Sequence, residues 1–530
     1  MMSFRVWQCA AIALYAGSSL VAASPCLPCH AKEVAGFGRS PMAHSLAGSV
    51  TLRPGSFTHQ PSGTKFVVGS GPGKSMASMS RDGITATYSI RYVVGSGAHA
   101  YGYLADISGY LFQAPISSYP KRGIWDMAPG YESDPAPDFS RPVTVECLQC
   151  HAGHPRPVPQ TLNRYETPAF SEEAISCDRC HGDSSAHLKQ PGRRNIVNPR
   201  RLPARSRDSV CEQCHLSGEV RILNPGRQFG DFQPGQELED VFSVYVRDHG
   251  GKPPSDSSIK VIGHSEQLAL SACAKNSSGS LWCGTCHNPH QKPDNPVSYY
   301  RERCLGCHRA QILQTHAKAS TDCVACHMPK RKAKDGAHTV FTDHRIARAY
   351  PSEIPEPRPV DSVRKLIAWR EPAGGLATRN LGLANMAVGE REKSAGQLEQ
   401  GAREAVSAMK FFPDDTVLLT KLGLVLMGAG TPAESIELFE YVVRLEPERG
   451  GSHANLGNAY KESGKKDEAI RELERAIELD PSLESAYRSL AEIYFEAHDI
   501  QGVRRTFERY LRFMPDNVTA RKALRELGDR

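Results

Sequence analysis

Seven segments of the chain read Cys-x-x-Cys-His: Cys26-Leu-Pro-Cys29-His30, Cys147-Leu-Gln-Cys150-His151, Cys177-Asp-Arg-Cys180-His181, Cys211-Glu-Gln-Cys214-His215, Cys283-Gly-Thr-Cys286-His287, Cys304-Leu-Gly-Cys307-His308 and Cys323-Val-Ala-Cys326-His327. Two thiols three residues apart share one face of a helical turn. They can therefore reach both vinyl groups of one porphyrin, and the next residue brings an imidazole under the iron as proximal ligand. A backbone carbonyl is expected to hold the other ring nitrogen and fix the tautomer. The pattern predicts seven covalently bound c-type haems. Zinc knuckles would have no need of a histidine after every pair, and a thioredoxin-like redox pair would occur once. Fourteen of the 16 cysteines are used in this way; the others are Cys9 and Cys273. Cys273 reads as a buried free thiol.

Each iron needs a sixth ligand or an open site. Of the 20 histidines seven are proximal, and His453 and His498 fall in a repetitive C-terminal region, where they read as surface or packing residues. The remaining candidates for distal ligation are His44, His59, His99, His154, His187, His249, His264, His290, His316, His338 and His344. There are enough of them to make mostly bis-histidine coordination the expectation. His154, His187 and His290 lie just behind the second, third and fifth motifs. Each is too close to its own proximal histidine to cross to the far face of the same haem, but could reach a neighbour. His99 lies between two candidate strands and could serve the first haem. His264 and His344 stand alone in Val-Ile-Gly-His-Ser and Phe-Thr-Asp-His-Arg. Met42, Met76, Met79 and Met127 are alternative ligands, which would raise the potential of any haem they bound.

The elements that must position these groups are short. About twenty residues separate the last three proximal histidines, enough for a short helix and a loop but not for an independent core. With 7% aromatic residues, 45 Gly and 37 Pro, residues 24–349 are expected to wrap short helices and long loops around the haems as their core. Between His30 and Cys147, the runs 83–95 and 101–112 are rich in aromatic and β-branched residues, with glycine turns at their ends. They predict a small β insert over about 51–120, packed beside the first haem. A proline-rich link follows over 350–375. Beyond it, Pro413, Pro447, Pro481 and Pro515 recur every 34 residues, the tetratricopeptide (TPR) period. Leu422-Gly423, Leu456-Gly457 and Leu490-Ala491 take the paired position, Tyr460 and Tyr494 the aromatic one, and Phe439, Ala469, Ala476 and Phe507 the later packing sites. A degenerate first repeat runs from Gly382 to Pro413, with Gly389 and Ala408 in register. Residues 376–530 thus predict four helical hairpins and a capping helix from Val518, an α-solenoid whose concave face would dock a partner protein. The expected fold is mainly α.

The N-terminus carries a secretory signal pattern over 1–23: Arg5, an apolar run from Val6 to Leu20, and the small-residue site Val21-Ala22-Ala23. Export to the periplasm or beyond fits, because c-type haem is attached outside the bacterial cytoplasmic membrane. No later run approaches membrane-spanning length. The formal charge of +6 does not argue for nucleic acid, since each ferric haem with its propionates contributes about −1. The basic run from Arg193 to Arg207 is expected to face propionates or solvent.

The segments Ile175-Ser-Cys-Asp-Arg-Cys-His-Gly, Asp208-Ser-Val-Cys-Glu-Gln-Cys-His-Leu-Ser-Gly, Cys283-Gly-Thr-Cys-His-Asn-Pro-His and Cys326-His-Met-Pro-Lys resemble the multihaem cytochromes c of the c-552/c-554 and doubled-CXXCH type, in the form fused to TPRs. The resemblance implies haem wires and export, but no substrate. The chain lacks the Cys-x-x-Cys-Lys motif of pentahaem nitrite reductases, and no tyrosine matches the cross-linked one of hydroxylamine-oxidising relatives. Single-electron transfer to a redox partner docked on the repeats is therefore the first expectation. An oxidoreductase acting on a small nitrogen or sulfur compound at one five-coordinate haem is the alternative.

Overall fold

Alternation of small or apolar residues with polar ones decides the first half of the molecule. In the computed structural model, which describes residues 24–48, 50–71, 74–249, 259–308, 322–348 and 363–528, strands β1 (Leu46–Ala47), β2 (Gly55–His59), β3 (Thr64–Gly71), β4 (Lys74–Arg81), β5 (Ile84–Val94), β6 (Tyr101–Ile107), β7 (Tyr110–Tyr119) and β8 (Ile124–Met127) form one antiparallel sheet. β2 to β8 follow one another as a meander, and β1 pairs with the end of β5. Two-residue turns with both φ positive, Asp82-Gly83 and Ser108-Gly109, join β4 to β5 and β6 to β7, a turn whose twist matches that of the strands it connects. The sheet curls until its ends meet. Arg53 donates to the Gly123 carbonyl at 2.6 Å, and a Cβ on Gly55 would sit 2.4 Å from the Trp125 ring. Phe66, Ala77, Met79, Ala105, Ala114 and Ile116 fill the interior and are inaccessible to solvent.

This corrects the expected small β insert. The sheet has eight strands over 46–127, is nearly closed into a barrel, and has a hydrophobic core of its own rather than a haem-supplied one. The runs 83–95 and 101–112 mark β5 to β7; β4 carries a weaker signal, because a strand with one wet face needs apolar groups only at alternate positions. In β4 those are Ala77 and Met79, set among serines. The fold is therefore β-barrel-like, then irregular with short helices, then helical.

Residues 128–348 carry short helices, the hairpin β9 (His154–Pro157)/β10 (Tyr165–Glu172), strands β11 (Val220–Leu223) and β12 (Phe242–Arg247), and the hairpin β13 (Lys330–Lys332)/β14 (Val340–Thr342). The expected link is not wholly a spacer. Residues 350–362 lie outside the described region, but β15 (Leu366–Ala368) pairs with β12, Tyr245 opposite Ala368, as the third strand of the β11–β12 sheet. The leader at 1–23 and His316 also lie outside the described residues.

The helical region opens earlier than the repeat register, at α1 (Gly375–Glu392). It continues as α2 (Ala395–Met409), α3 (Thr416–Gly428), α4 (Pro432–Leu445), α5 (Gly450–Glu462), α6 (Lys466–Leu479), α7 (Glu484–Glu496), α8 (Ile500–Phe513) and α9 (Val518–Gly528). Glycines at the paired position admit large neighbours: a Cβ on Gly423 would lie 2.6 Å from the Phe439 ring, and one on Gly457 2.8 Å from Leu473 Cγ. In the first hairpin the backbones themselves touch. A Cβ on Gly382 would come within 2.8 Å of the Ala405 amide nitrogen and 3.0 Å of the Gly401 carbonyl. Backbone cannot turn aside as a side chain can, so Gly382→Ala is expected to lower stability by about 1–3 kcal/mol, read as a lower thermal midpoint.

Both ends of the solenoid are fastened to the rest of the chain. α1 lies on the β11–β12–β15 sheet, where Glu219 meets Lys260 at 2.9 Å, Arg391 at 2.9 Å and Arg247 at 3.3 Å. Burial raises the Glu219 pKa, but these three cations outweigh it and hold the carboxyl down from 4.5 to about 2. The folded state thus favours the charged form. The junction's contribution is complete above pH 4.5 and is lost as pH falls towards 2. A Glu219→Gln chain should show a shallower loss of thermal stability across that window than the parent. At the other end α9 rests on β5: Arg521 donates to the Thr85 carbonyl at 3.1 Å, and Lys522 pairs with Asp82 at 2.8 Å.

Candidate haem-attachment sites

Every described Cys-x-x-Cys-His segment occupies a turn or a short helix. Outside the helix ladders, the proximal histidine amide donates to the carbonyl of the first cysteine: His30 to Cys26 at 2.9 Å, His181 to Cys177 at 3.0 Å, His287 to Cys283 at 2.9 Å and His308 to Cys304 at 2.9 Å; the fourth and seventh motifs lie within helices. Two thiols and an imidazole therefore rise from a single turn. The fifteen described cysteines are free thiols. Cysteines of different motifs are close enough for one to perturb the titration of the other: Cys26 and Cys177, Cys150 and Cys214, Cys211 and Cys283, and Cys304 and Cys323. Cys273, expected to be buried, is half-buried beside Cys286 and Cys304.

The residue before the second cysteine locks three motifs together. Arg179 donates to the Gln149 carbonyl at 2.9 Å, and Gln213 donates to the Arg179 carbonyl at 3.0 Å, all three being buried. Arg221 adds bonds to the Gln213 and Leu216 carbonyls at 3.3 and 2.6 Å. Glu212, inside the fourth motif, accepts from Trp369 Nε1 at 3.1 Å and from Arg370 at 2.6 Å. Burial lifts its carboxyl to about 7 despite Arg370. The sequence reading missed these residues. Their signal was the run of Gln, Arg and Gln at one motif position, where a surface loop has no reason to repeat a long hydrogen-bonding side chain.

Ring-nitrogen partners sort the histidines. Nδ1 is held by an oxygen in His181 (Val197 carbonyl, 2.7 Å), His287 (Tyr300 hydroxyl, 3.2 Å), His327 (Ala347 carbonyl, 3.0 Å), His187 (Gly192 carbonyl, 3.1 Å) and His344 (Thr342 carbonyl, 2.9 Å). That leaves Nε2 as the outward nitrogen in each. Burial first, with like charge from neighbouring imidazoles second, lowers the pKa of His215 to about 4 and of His264 to about 3. Burial also lowers His99, His151, His287, His290 and His344. Neutral imidazole is the form that binds a metal.

Three expected distal ligands are engaged elsewhere. His44 Nε2 meets the Gly38 carbonyl at 2.8 Å. His59 is buried in the barrel wall and uses both nitrogens, on Ser62 Oγ at 2.8 Å and the Glu132 carbonyl at 3.0 Å. His154 Nε2 binds the Asp178 carboxylate, which raises its pKa. His99 stacks on Phe341 at 4.1 Å instead of approaching the first motif. His338, between Arg122 and Asp126, is also engaged at both nitrogens. Among the described residues, the group whose donor atoms converge within 4.8 Å is His154, Glu172 and Asp178. Among the described residues, no two cysteine motifs bring their donor atoms together as paired zinc knuckles would.

The residues thus fit haem attachment: paired free thiols on one turn, an imidazole next to them and, in His181, His287 and His327, an oxygen that holds Nδ1 and turns Nε2 outward. Among the described residues no helix is long and apolar enough to cross a membrane.

The TPR repeat model matches residues 434–497, so α4 to α7 hold TPR repeats, a module that binds proteins. No curated protein matches the chain. Among solved structures, similarity is found to MamA 41-end from Desulfovibrio magneticus RS-1, at 16% identity over 27% of this chain and 78% of that one with a TM-score of 0.25. A crystal structure of MamA matches at 26% identity over 25% of this chain and 78% of that one, with a TM-score of 0.23.

Proposed function

We propose that the chain is an exported seven-haem electron-transfer protein whose TPR array docks a redox partner. The carrying observation is the repeated turn that presents two free thiols and an adjacent imidazole. The cysteine pairs 26/29, 147/150, 177/180, 211/214, 283/286, 304/307 and 323/326 would hold the macrocycles, and His30, His151, His181, His215, His287, His308 and His327 the irons. Haem bound there supplies a one-electron iron couple, whose potential is set by axial ligand, burial and hydrogen bonding. The chain's own part is to hold Nδ1 of His181, His287 and His327, to disfavour protonation of His151, His215 and His287, and to lock the second, third and fourth motifs against one another. The closeness of cysteines in different motifs supports short distances between neighbouring sites. The signal pattern at 1–23 supports export, and the TPR match supports a protein partner.

Expression in a host that matures c-type cytochromes tests this reading. Seven haems per chain by pyridine haemochrome, and a mass raised by the same number, are expected. A colourless protein of unmodified mass would overturn it.

A further inference from the structure

Four proximal histidines have a second histidine beside them: His215 meets His264 edge-on at 5.2 Å, and His264 in turn meets His344 edge-on at 4.9 Å, whereas in the other three pairs the rings are inclined by less than 40° at closely similar separations. The ring centres of His30 and His187 are 6.2 Å apart with planes inclined by 30°. Those of His181 and His290 are 5.8 Å apart at 15°, and those of His287 and His344 are 6.2 Å apart at 36°. Two imidazoles bound end-on to one metal, each through a bond of about 2 Å, hold their ring centres about 6 Å apart. In each pair at least one Nδ1 is tied to an oxygen, on His187, on His181, and on both His287 and His344.

The order along the chain is regular. His30 belongs to the first motif, and His187 follows the third. His181 belongs to the third, and His290 follows the fifth. His287 belongs to the fifth, and His344 follows the seventh. Backbone packing agrees with this threading: a Cβ on Gly36, in the helix behind the first motif, would lie 2.3 Å from the His290 carbonyl oxygen. The first and third motifs are also close at Cys26 and Cys177. Gln267 Oε1 accepts from the His344 amide at 2.9 Å and holds that residue in place.

Resting on the haem reading above, we propose that the first, third and fifth sites form an interlocked series of bis-histidine sites, the sixth ligand of each lent by the segment behind the next odd-numbered motif. His187, His290 and His344 are these ligands. Each site stays incomplete until the segment behind the next odd-numbered motif has been made: the first until His187, the third until His290 and the fifth until His344. All three are closed to exogenous substrate, so any substrate-binding haem belongs to another motif.

The test uses the full-length holoprotein. Near-infrared magnetic circular dichroism of the unmodified protein should report at least three bis-imidazole haems; fewer overturns the proposal. His187→Met, His290→Met and His344→Met should each convert one bis-imidazole signal into a histidine–methionine signal and move one reduction step to higher potential. His154→Met should alter neither. Unchanged spectra in the first three variants with seven haems retained, or a ligand change in His154→Met, would overturn the proposal. Where a methionine variant does not accumulate, the corresponding glycine variant matured with imidazole in the medium should recover the low-spin signal, and its failure to do so counts against the assignment. Absence of haem from the parent protein would instead sink the underlying reading.

Discussion

Arg379→Ala is expected to destabilise the folded chain by about 3–5 kcal/mol, seen as a lower denaturation midpoint with an unchanged slope. Arg379 is 1% exposed and grips Asp415, 4% exposed, through Nε at 2.7 Å and Nη2 at 3.2 Å. Its remaining nitrogen binds the Leu223 carbonyl of β11 and, at 2.7 Å, Asn380 Oδ1. One side chain thus joins the first repeat, the start of the second and the three-stranded sheet. Asp415 also caps α3, accepting from the amides of Val417 and Leu418 at 3.1 and 3.0 Å. Alanine would leave a buried carboxylate without its cation and a strand carbonyl without its donor. The cost is chiefly that of the orphaned groups, not the net worth of the pair. Two comparisons separate these. Arg379→Lys restores charge without the planar two-point contact and should recover only part of the loss. Arg379→Ala with Asp415→Ala should cost clearly less than the sum of the single changes. Additive losses would show that the pair is not coupled.

The solenoid could be read from the sequence because each repeat buries the same positions against its neighbours, so Leu422, Leu456 and Leu490 recur at a fixed period. The haem motifs could be read because their chemistry is contained within one helical turn. What could not be read depends on contacts between distant segments. Nothing in Thr58-His59-Gln60 says that both nitrogens of His59 are taken by Ser62 and by a carbonyl far along the chain. The approach of His344 to His287 rests on the packing of a tail against an earlier motif. β15 is three residues long and forms only because β12 offers it an edge. The barrel is half visible: β5 and β7 are rich in aromatic and β-branched residues, whereas β4 packs serine, alanine and methionine, whose strand preference comes from the surface they pair with.

The helical and barrel regions read as separable units, yet their seam is buried, and Tyr88→Ala should show that they unfold together. Tyr88 points out of β5, is 5% exposed, stacks on Phe139 at 4.1 Å and donates its hydroxyl to the Asp516 carbonyl at 2.7 Å. Beside it Tyr110 meets Phe513 edge-on at 5.1 Å. Barrel residues and those of the last two repeats form one continuous apolar cluster. Truncating Tyr88 removes an aromatic ring from the seam at a cost of about 3–5 kcal/mol. Tyr88→Phe keeps the ring and forfeits only the hydroxyl bond, about 1 kcal/mol. The stronger statement concerns cooperativity. Pulsed hydrogen–deuterium exchange of β4 to β8 reports the barrel, and that of α5 to α9 reports the helices. In the parent the two transitions should coincide, and in Tyr88→Ala both should move to lower denaturant together. If the barrel signal moved while the helical signal stayed, the seam would be a contact between independent folding units. A chain cut before the repeats would then keep its barrel; with the seam as described, it would expose Tyr88, Tyr110 and Phe139 to water and lose it.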